Sequence, residues 1–369
     1  MDVADLLGVP PDEVADLLEH FERDTYEGTV YRRLPDARHG IERGTVLVDG
    51  TAVRGFPSIP RTLVLETGVP AFFDGPFAVE EKLNGFNVRV AQVGRPLAFT
   101  RGGIVGPFAT RMARDLLDLE AFFADHPEKM LCTEFIGPEN PYTAHDYPGV
   151  DSVAVRVFDV RDRVSGRPLA VEERRSLVAD YDFPQPERFA TLDPEDGVDR
   201  LRAIVDRLDA AGREGVVMQS ADGRDLLKYT TGSQHADDLA FAFSLPFDYG
   251  RDFVFSRLIR EGFQAVEWEE SPEELADRAH RIGEAILYPM VETIRAVRDG
   301  DPVGERHTIR ASPETVEATL DHLRQQGIGL EILTDRSVGE DERVVEFLKI
   351  TDATRDSIAH YLEGGTIDE

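Results

Sequence analysis

Apolar residues recur at helical spacing near the start of the chain and then at strand spacing. Residues 12–23 carry an apolar residue every three or four positions behind Pro10 and Pro11, which predicts a short amphipathic helix opened by prolines. From about 28 to 104 the apolar runs are short, rich in β-branched residues and separated by glycine or proline, as is typical of strands. The clearest runs are 44–48, 87–90 and 97–100. This part of the chain is therefore predicted to be mostly β.

Helices and strands then alternate as far as residue 235. Helical spacing returns over 110–125, and buried strands follow where continuous apolar runs are bounded by charged or turn residues. The predicted helices are 110–125, 171–180 and 198–211, and the predicted strands are 130–136, 153–160, 215–218 and 226–229. Short strands mixed with helices favour one α+β domain built on antiparallel sheet.

The chain beyond residue 235 divides into a helical part and a mixed part. Apolar positions at helical spacing continue to about 299 and include a stripe over 282–294. The last stretch predicts a helix over 313–326, strands over 328–334 and 343–350, and a helix over 352–363. The predicted α+β chain thus has an N-terminal α/β module (1–60), an α+β domain (61–235), a helical domain (236–300) and a small α+β domain (301–369).

The composition gives the chain an unusually large negative charge. The 369 residues include 71 acidic and 41 basic side chains, which give a formal net charge of −30. Acidic residues spread evenly along a chain that keeps its core periodicity are typical of adaptation to high salt, so we expect a halophile's cytosol. An acidic total does not exclude a nucleic-acid partner, because a basic patch can lie within it. Lysines are rare, and they are Lys82, Lys129, Lys228 and Lys349.

Several kinds of site are disfavoured by what the sequence lacks. Cys132 is the only cysteine, which excludes an intrachain disulfide and a cysteine-framed zinc site and suits a reducing cytosol. The nine histidines show no spacing that would hold a metal, and there is no P-loop, H-E-x-x-H or G-x-S-x-G motif. The first residues are acidic, without the basic region typical of a secretory signal, and no apolar run approaches the roughly 20 residues that span a bilayer. We therefore expect a cytoplasmic protein that does not enter a membrane.

Polar residues within otherwise apolar strands are the strongest signs of chemistry. Lys82 ends a strand before the turn signal Asn84-Gly85, and a β-hairpin with charged edges would explain it. A nucleophile would explain it too, since a lysine near other cations or shielded from water loses its proton more easily. Glu134 shares a strand face with Cys132, and a carboxylate buried there needs a partner. Charges at or within strands recur at Asp159, Glu214 and Lys228.

Five ordered motifs connect these residues. They are Glu-Lys-x-x-Gly-x-Asn-x-Arg (81–89), Thr-Arg-Gly-Gly (100–103), Glu-Phe-x-Gly-Pro-x-Asn-Pro-Tyr (134–142), Glu-Gly-Val-Val (214–217) and Leu-Lys-Tyr-Thr-Thr (227–231). In this order and at these spacings the chain resembles the archaeal homodimeric ATP-dependent RNA ligases of the covalent nucleotidyltransferase superfamily. The resemblance implies an ATP-grasp-like nucleotidyltransferase domain of antiparallel sheets with helices, followed by a helical dimerisation domain and a small α+β C-terminal domain.

The resemblance also implies a reaction. ATP would be the substrate, and Lys82 would attack its α-phosphate, release pyrophosphate and form a lysine–AMP phosphoramidate. AMP would then pass to an RNA 5′-phosphate, and a 3′-hydroxyl would displace it, so that RNA ends are joined or a strand is circularised. Such a transfer calls for fixed cations and a divalent metal, Mg²⁺ or Mn²⁺.

The implied roles fall on residues of the motifs and on Phe158, in the strand predicted over 153–160. Beside Lys82, the catalytic cations would be Arg101, which holds phosphate or ribose, and Lys228, which contacts the α-phosphate. Glu214 would hold the metal. The other implied nucleotide-binding residues are Glu134 for the ribose hydroxyl, Phe158 for stacking on adenine, Asn87 and Arg89 for the later steps, and Glu81 and Gly85.

Two departures from the motifs keep alternatives open. Asn84 stands where the superfamily usually has aspartate, and Thr230 stands where a second lysine often follows Lys228. A catalytically degenerate nucleotide-binding or RNA-binding protein is therefore one alternative, and an unrelated halophilic α+β enzyme is another. A DNA ligase of the same superfamily is a third, although those enzymes and the capping enzymes carry an OB-fold barrel where this chain is predicted to be helical.

The charge generates a prediction about the folded state. Dialysis from molar KCl to low salt should unfold the protein, because screening of its repelling carboxylates is then lost. Circular dichroism measured along the dialysis checks this. A spectrum indifferent to salt would contradict adaptation to a salty cytosol.

Overall fold

The computed structural model describes residues 3–339 and 341–366. Its first part is two short helices and a four-stranded antiparallel sheet with strands in chain order. These elements are α1 (Val3–Leu7), α2 (Val14–Glu19), β1 (Glu22–Tyr26), β2 (Thr29–Arg33), β3 (Val46–Val48) and β4 (Thr51–Val53). The helix predicted over 12–23 is shorter than expected, because the chain turns at His20 and β1 begins two residues later. Phe21 is buried beside Leu17 without belonging to the helix.

Two further antiparallel sheets form the central part of the molecule. The elements are α3 (Leu65–Phe72), β5 (Phe77–Lys82), β6 (Phe86–Val93), β7 (Arg95–Thr100), α4 (Pro107–Leu116), α5 (Leu119–Asp125), β8 (Lys129–Ile136), β9 (Ala154–Asp162), α6 (Val171–Asp180), β10 (Arg188–Leu192), α7 (Val198–Ala210), β11 (Gly215–Ser220) and β12 (Leu226–Thr230). One sheet has the order β10-β5-β11-β12 and the other β7-β6-β8-β9. The α+β prediction with antiparallel sheets is confirmed.

Each central sheet has one apolar face that builds a core. In the β10-β5-β11-β12 sheet, Phe77, Val79, Val216 and Met218 pack with apolar residues of α3 and α7. In the other sheet, one face packs on α4, α5 and α6, and the opposite face meets the N-terminal sheet through residues such as Cys132. Because successive side chains of a strand point to opposite faces, the second face of the β10-β5-β11-β12 sheet is left for polar residues.

The rest of the chain is a helical segment followed by a small α+β unit. Its elements are α8 (Gly232–Ser244), α9 (Arg251–Glu267), α10 (Pro272–Asp299), β13 (Gly304–Ala311), α11 (Pro313–Gln325), β14 (Leu330–Ser337), β15 (Arg343–Ile350) and α12 (Asp352–Leu362). The long helix α10 begins at a capping box between Ser271 and Glu274 and ends at Gly300, whose φ of 82° suits glycine. Among residues 3–339 and 341–366, no helix is both long and apolar enough to cross a membrane.

The predicted elements differ from the observed ones where local and tertiary signals conflict. The helix predicted over 110–125 is two helices, because Leu117 is extended and Asp118 caps α5 by accepting a hydrogen bond from the Ala121 amide at 3.1 Å. Both helices bury residues in the same apolar cluster. The apolar spacing therefore continues across the break and predicts a single helix. Helix α3 lies in the part predicted to be mostly β. It is not predicted because Gly68 and Pro70 interrupt the apolar spacing typical of a helix. The short strand β10 and the strand β13 were not predicted.

The C-terminal unit is joined to the central part by charge and by apolar packing. Arg310 of β13 donates to both carboxylate oxygens of Glu139, and the longer of these bonds is 3.0 Å. Phe108 of α4 packs among Ile309 and Phe347 of the C-terminal sheet. The motif 134–142 thus reaches from the central sheet, at Glu134, to the contact with the C-terminal unit, at Glu139.

Candidate active site

A cleft opens between the polar face of the β10-β5-β11-β12 sheet and residues of β6, β8 and β9 in the other central sheet. Its lining residues include Phe56, Ile59, Glu80, Lys82, Asn87, Arg101, Glu134, Phe158, Val217, Gln219 and Lys228. The space is about 880 Å³ when the solvent in its open mouth is included. The cleft therefore brings together residues from all five sequence motifs.

Strand pairing explains why the charged residues meet. Across the three adjacent strands β5, β11 and β12, Glu80, Val217 and Lys228 pair in one row. Lys82, Gly215 and Thr230 pair in a row two residues further along. Rows two residues apart point to the same face, so Lys82 and Lys228 share the polar face although 146 positions separate them.

The cleft holds more positive charge than its own acids neutralise. Lys82 forms an ion pair with Glu214. Lys228 and Arg101 have no carboxylate partner in the described part of the chain. Burial is the main cause that lowers the pKa of Lys228 to about 8, and the nearby charge of Arg61 is the next. In a chain with a net charge of −30, such a concentration of cations favours an anionic ligand.

Two carboxylates face this positive charge. Glu134 of β8 pairs across the sheet with Asn87 of β6, whose amide nitrogen lies 3.5 Å from a carboxylate oxygen. Burial raises the pKa of Glu134 to about 8, although the charge of Lys82 opposes the rise. Glu214 keeps one buried oxygen without a hydrogen-bond partner among the described residues.

These carboxylates fit a divalent cation that is shared with a substrate. The described residues contain no group of three or more acidic, histidine or cysteine side chains that could hold a metal by themselves. Mg²⁺, however, is commonly held by one or two carboxylates together with substrate phosphates. The free oxygen of Glu214 supplies that kind of ligand.

An aromatic and aliphatic wall closes one side of the cleft. Phe158 lies at an irregularity in the pairing of β8 with β9, where the register shifts after Cys132. Its ring meets that of Phe56 edge to face, with centroids 5.3 Å apart. Ile59 and Val217 add apolar surface. A planar base can stack against such a wall.

Glu80 was missed by sequence reasoning. It is buried in the cleft floor and accepts hydrogen bonds from Arg174 at 2.5 Å and from Arg175 at 2.7 Å. A signal was present, because Glu80 and Lys82 are two residues apart on one strand and must share a face. Phe56 and Arg61 were missed as well. They lie in an irregular segment that only the tertiary structure brings to the site.

Three motif residues serve the framework around the cleft in this structure. The Glu81 side chain pairs with Arg213, on the other face of β5 from Lys82. Gly85 permits a close approach of strands, since a Cβ atom there would lie 2.3 Å from the Phe135 carbonyl oxygen. Asn84, the departure from the usual aspartate, donates its side-chain amide to Gln234 of α8 at 2.9 Å.

Arg89, to which the resemblance assigns nucleotide binding in the later steps, is not among the residues that line the cleft. Its side chain is fully buried and donates to the backbone carbonyls of Arg54, Gly44 and Thr100, the last two at 2.8 and 2.9 Å. An arginine can satisfy several carbonyls at once because its guanidinium has five donors. Arg89 therefore ties the N-terminal sheet to β7, and β7 leads into the Arg101 loop.

Arg89→Met should destabilise the ligand-free protein. The substitution leaves three buried carbonyls without their donor, and we expect a loss of about 3 kcal/mol or more. Denaturant unfolding in molar KCl without nucleotide measures it. Arg95→Met is the matched control, because the pair of Arg95 with Glu27 is largely exposed and should contribute less than about 1 kcal/mol. Unchanged stability would mean that Arg89 is free for another role.

Comparisons with known proteins agree with this arrangement. The family profile described as "RNA ligase" matches residues 75–230, and the profile described as "Ligase Pab1020 C-terminal region" matches residues 241–365. An uncharacterized protein of Methanocaldococcus jannaschii is 37% identical over 338 residues, which cover 88% of this chain and 85% of its own.

Solved structures match along nearly the whole chain. Forms 1 and 2 of an archaeal ATP-dependent RNA ligase are each 40% identical, with TM-scores of 0.92 and 0.93 over 99% of this chain and 98% of theirs. A putative ATP-dependent DNA ligase from Aquifex aeolicus is 27% identical, with a TM-score of 0.90 over 97% of this chain and all of its own. These matches confirm the predicted fold, including the part that follows the two central sheets.

Proposed function

The chain belongs to the archaeal ATP-dependent RNA ligase family, and we propose that it joins RNA 5′-phosphate and 3′-hydroxyl ends through a covalent lysine–AMP intermediate. The observation that carries the proposal is the polar face of one sheet, where Lys82 and Lys228 lie beside Arg101 in a cleft with an aromatic wall. That combination suits a nucleotide, since fixed cations hold phosphates and the wall holds a base.

In the first step, Lys82 is the nucleophile. Its neutral Nζ forms a bond to the α-phosphorus of ATP, and the bond from that phosphorus to the bridging oxygen breaks, so that its electron pair leaves with pyrophosphate. The proton of the Lys82 ammonium passes to solvent by way of the Glu214 carboxylate that it contacts. Lys228 and Arg101 stabilise the charge on the phosphate oxygens.

The remaining cleft residues position the nucleotide. Phe158 stacks on adenine, and Glu134 binds a ribose hydroxyl, because its carboxyl oxygens can accept a hydrogen bond whether or not the group is protonated. A divalent metal, Mg²⁺ or Mn²⁺, held by Glu214 and phosphate oxygens, would supply further charge neutralisation when bound. The metal preference does not follow from oxygen ligands, which suit both ions.

The later steps transfer AMP to RNA. An oxygen of the RNA 5′-phosphate attacks the phosphorus of the lysine–AMP adduct and frees the Lys82 amine. The RNA 3′-hydroxyl then attacks the 5′-phosphate, and AMP leaves. Asn87 is placed for these steps, because its side-chain oxygen is buried in the cleft wall without a partner among the described residues.

Labelling with α-³²P-ATP tests the covalent intermediate. The wild type, incubated with Mg²⁺ or Mn²⁺ in molar KCl, should give a labelled band that survives denaturation and is discharged by 5′-phosphorylated RNA. Lys82→Ala should give no band, whereas Lys129→Ala, the matched lysine control on β8, should label normally. Lys228→Ala and Arg101→Ala should slow labelling by about 100-fold or more while the fold survives.

The same assay separates the alternatives. A folded wild type that gives no band would favour the degenerate binding protein, with Asn84 as the lesion. Discharge by DNA but not by RNA would favour a DNA ligase, which the similarity to the Aquifex aeolicus protein makes a necessary comparison. In the described chain, β12 is followed by helices α8, α9 and α10, so the barrel expected of the other superfamily ligases does not follow the last motif.

We also propose that the enzyme is a homodimer, as the resemblance implies, formed through the helical segment. Apolar side chains are exposed along α9 and α10, and clustered exposure of this kind marks a surface that binds a partner. The exposed residues are Phe255 (60%), Val266 (78%), Leu287 (57%) and Tyr288 (61%). A second copy of the chain would cover them.

The mass in solution tests the dimer. Light scattering after gel filtration in molar KCl should give twice the 41.1 kDa of the chain for the wild type. The double variant Phe255→Glu, Leu287→Glu should shift to the monomer, because two carboxylates would be buried without partners. Val30→Glu, at an exposed apolar residue of the N-terminal sheet, should remain dimeric. A monomeric wild type would contradict the proposal.

The acidic surface completes the proposed setting. We infer that the enzyme works in the cytoplasm of a halophile, where molar salt screens its net charge of −30. Counterion release, which ordinarily drives RNA binding, is weak at such salt concentrations. Stacking and contacts that recognise shape must then supply more of the affinity for RNA.

A further inference from the structure

An irregular segment extends the active-site sheet beyond β12. The Lys228 amide donates to the Pro60 carbonyl at 3.0 Å, and the Thr62 amide donates to the Lys228 carbonyl at 3.3 Å. Arg61 thereby forms a parallel bridge with Lys228. Its guanidinium donates to the Thr230 hydroxyl at 2.5 Å. A cation thus reaches the position where the motif would often have a second lysine.

A second arginine reaches the same place from the helical segment. Arg260 of α9 lines a small cavity together with Arg61, Thr230 and His235. Burial lowers the pKa of Arg260 to about 10, and the charge of Arg61 lowers it next. Two partly buried cations that repel each other destabilise the folded protein unless an anion binds beside them.

Neither arginine is neutralised by the protein. In the described part of the chain, Arg61 and Arg260 form no ion pair with a carboxylate. The acids nearby are already engaged, since Asp238 pairs with Arg257 at 2.8 Å and Glu261 pairs with Arg278 at 2.5 Å. In so acidic a protein, two adjacent arginines without carboxylate partners indicate that the missing partner is a ligand.

The register of the sheet indicates that this ligand is the leaving phosphate group of the nucleotide. Lys82, Gly215 and Thr230 lie in one row, and neighbouring strands are about 4.8 Å apart, so Thr230 lies roughly 10 Å from Lys82 across the sheet. In adenylation, the leaving oxygen lies in line with the attacking nitrogen and on the opposite side of the phosphorus. A phosphate held between Lys82 and Lys228 therefore directs its leaving group towards β12 and Arg61.

We propose that Arg61 and Arg260 form a phosphate-binding subsite that holds the β- and γ-phosphates of ATP and then the pyrophosphate leaving group. This rests on the proposed adenylation of Lys82. It gives the helical segment a direct part in the first chemical step, because Arg260 belongs to α9. It also assigns to Arg61 the role of the absent second lysine of the motif 227–231.

Three reactions of each variant separate this subsite from other roles. They are formation of the labelled adduct from ATP, discharge of the preformed adduct by pyrophosphate, and sealing of RNA that already carries a 5′-adenylate. Arg61→Gln and Arg260→Gln should each slow adduct formation by about 10-fold or more, because each substitution removes one charged hydrogen-bond donor to the phosphates. The pyrophosphate concentration for half-maximal discharge should rise by a similar factor.

Sealing of pre-adenylated RNA should stay within about twofold of the wild type, because it involves neither ATP nor pyrophosphate. Arg251→Gln, an exposed arginine at the start of the same helix, is the matched control and should be unchanged in all three reactions. Arg61→Lys should recover part of the response to pyrophosphate. Circular dichroism in molar KCl verifies that each variant is folded.

Each contrary result has a defined meaning. A wild type that forms no adduct would overturn the proposed function itself, whereas an adduct with unaltered pyrophosphate response in both glutamine variants would overturn only the subsite. Normal adduct formation and pyrophosphate response with slowed sealing of pre-adenylated RNA would also overturn the subsite and would show that the arginines hold RNA. Equal losses in all three reactions, or loss of the fold in both variants, would show a purely structural role.

Discussion

The alternation of side chains along β5 is the constraint on which the rest of the structure depends. Phe77 and Val79 must be buried on one face of the strand, and that requirement directs Glu80 and Lys82 to the other. Pairing with β11 and β12 then carries Lys228 to the same face. A one-residue slip would bury the lysines and expose the core, so the packing that stabilises the sheet also places both lysines on the cleft face.

The net charge of the cleft depends on which of its charged side chains already form ion pairs within the protein. Glu80 is satisfied by Arg174 and Arg175 beneath the floor, so its negative charge is already neutralised when a ligand arrives. Lys228 and Arg101 are left for the ligand. Preorganised cations of this kind stabilise a phosphoryl transition state without reorganising during the reaction. The cleft is therefore a local positive region in a chain whose surface is strongly acidic.

The helical segment and the C-terminal unit form hydrogen bonds with residues of the active-site motifs. Asn84, which follows β5, donates a hydrogen bond to Gln234 of α8, and Glu139 accepts hydrogen bonds from Arg310 of the C-terminal sheet. A central domain cut from its neighbours would lose these partners. The family resemblance along nearly all of the chain is consistent with a unit in which the helical and C-terminal parts are integral to the site.

The sequence by itself determined the α+β character, most strands and the motif residues Lys82, Glu134, Glu214 and Lys228, because strand periodicity and short motifs are local signals. It could not determine that Arg89 is buried under three carbonyls, that helix 110–125 breaks at Leu117, that Phe56 lines the cleft, or that Arg61 pairs with Lys228. Those features depend on contacts between residues distant along the chain. Only the tertiary structure decides such contacts, since a contact between two distant residues, unlike the periodicity of one element, leaves no regular trace in the sequence.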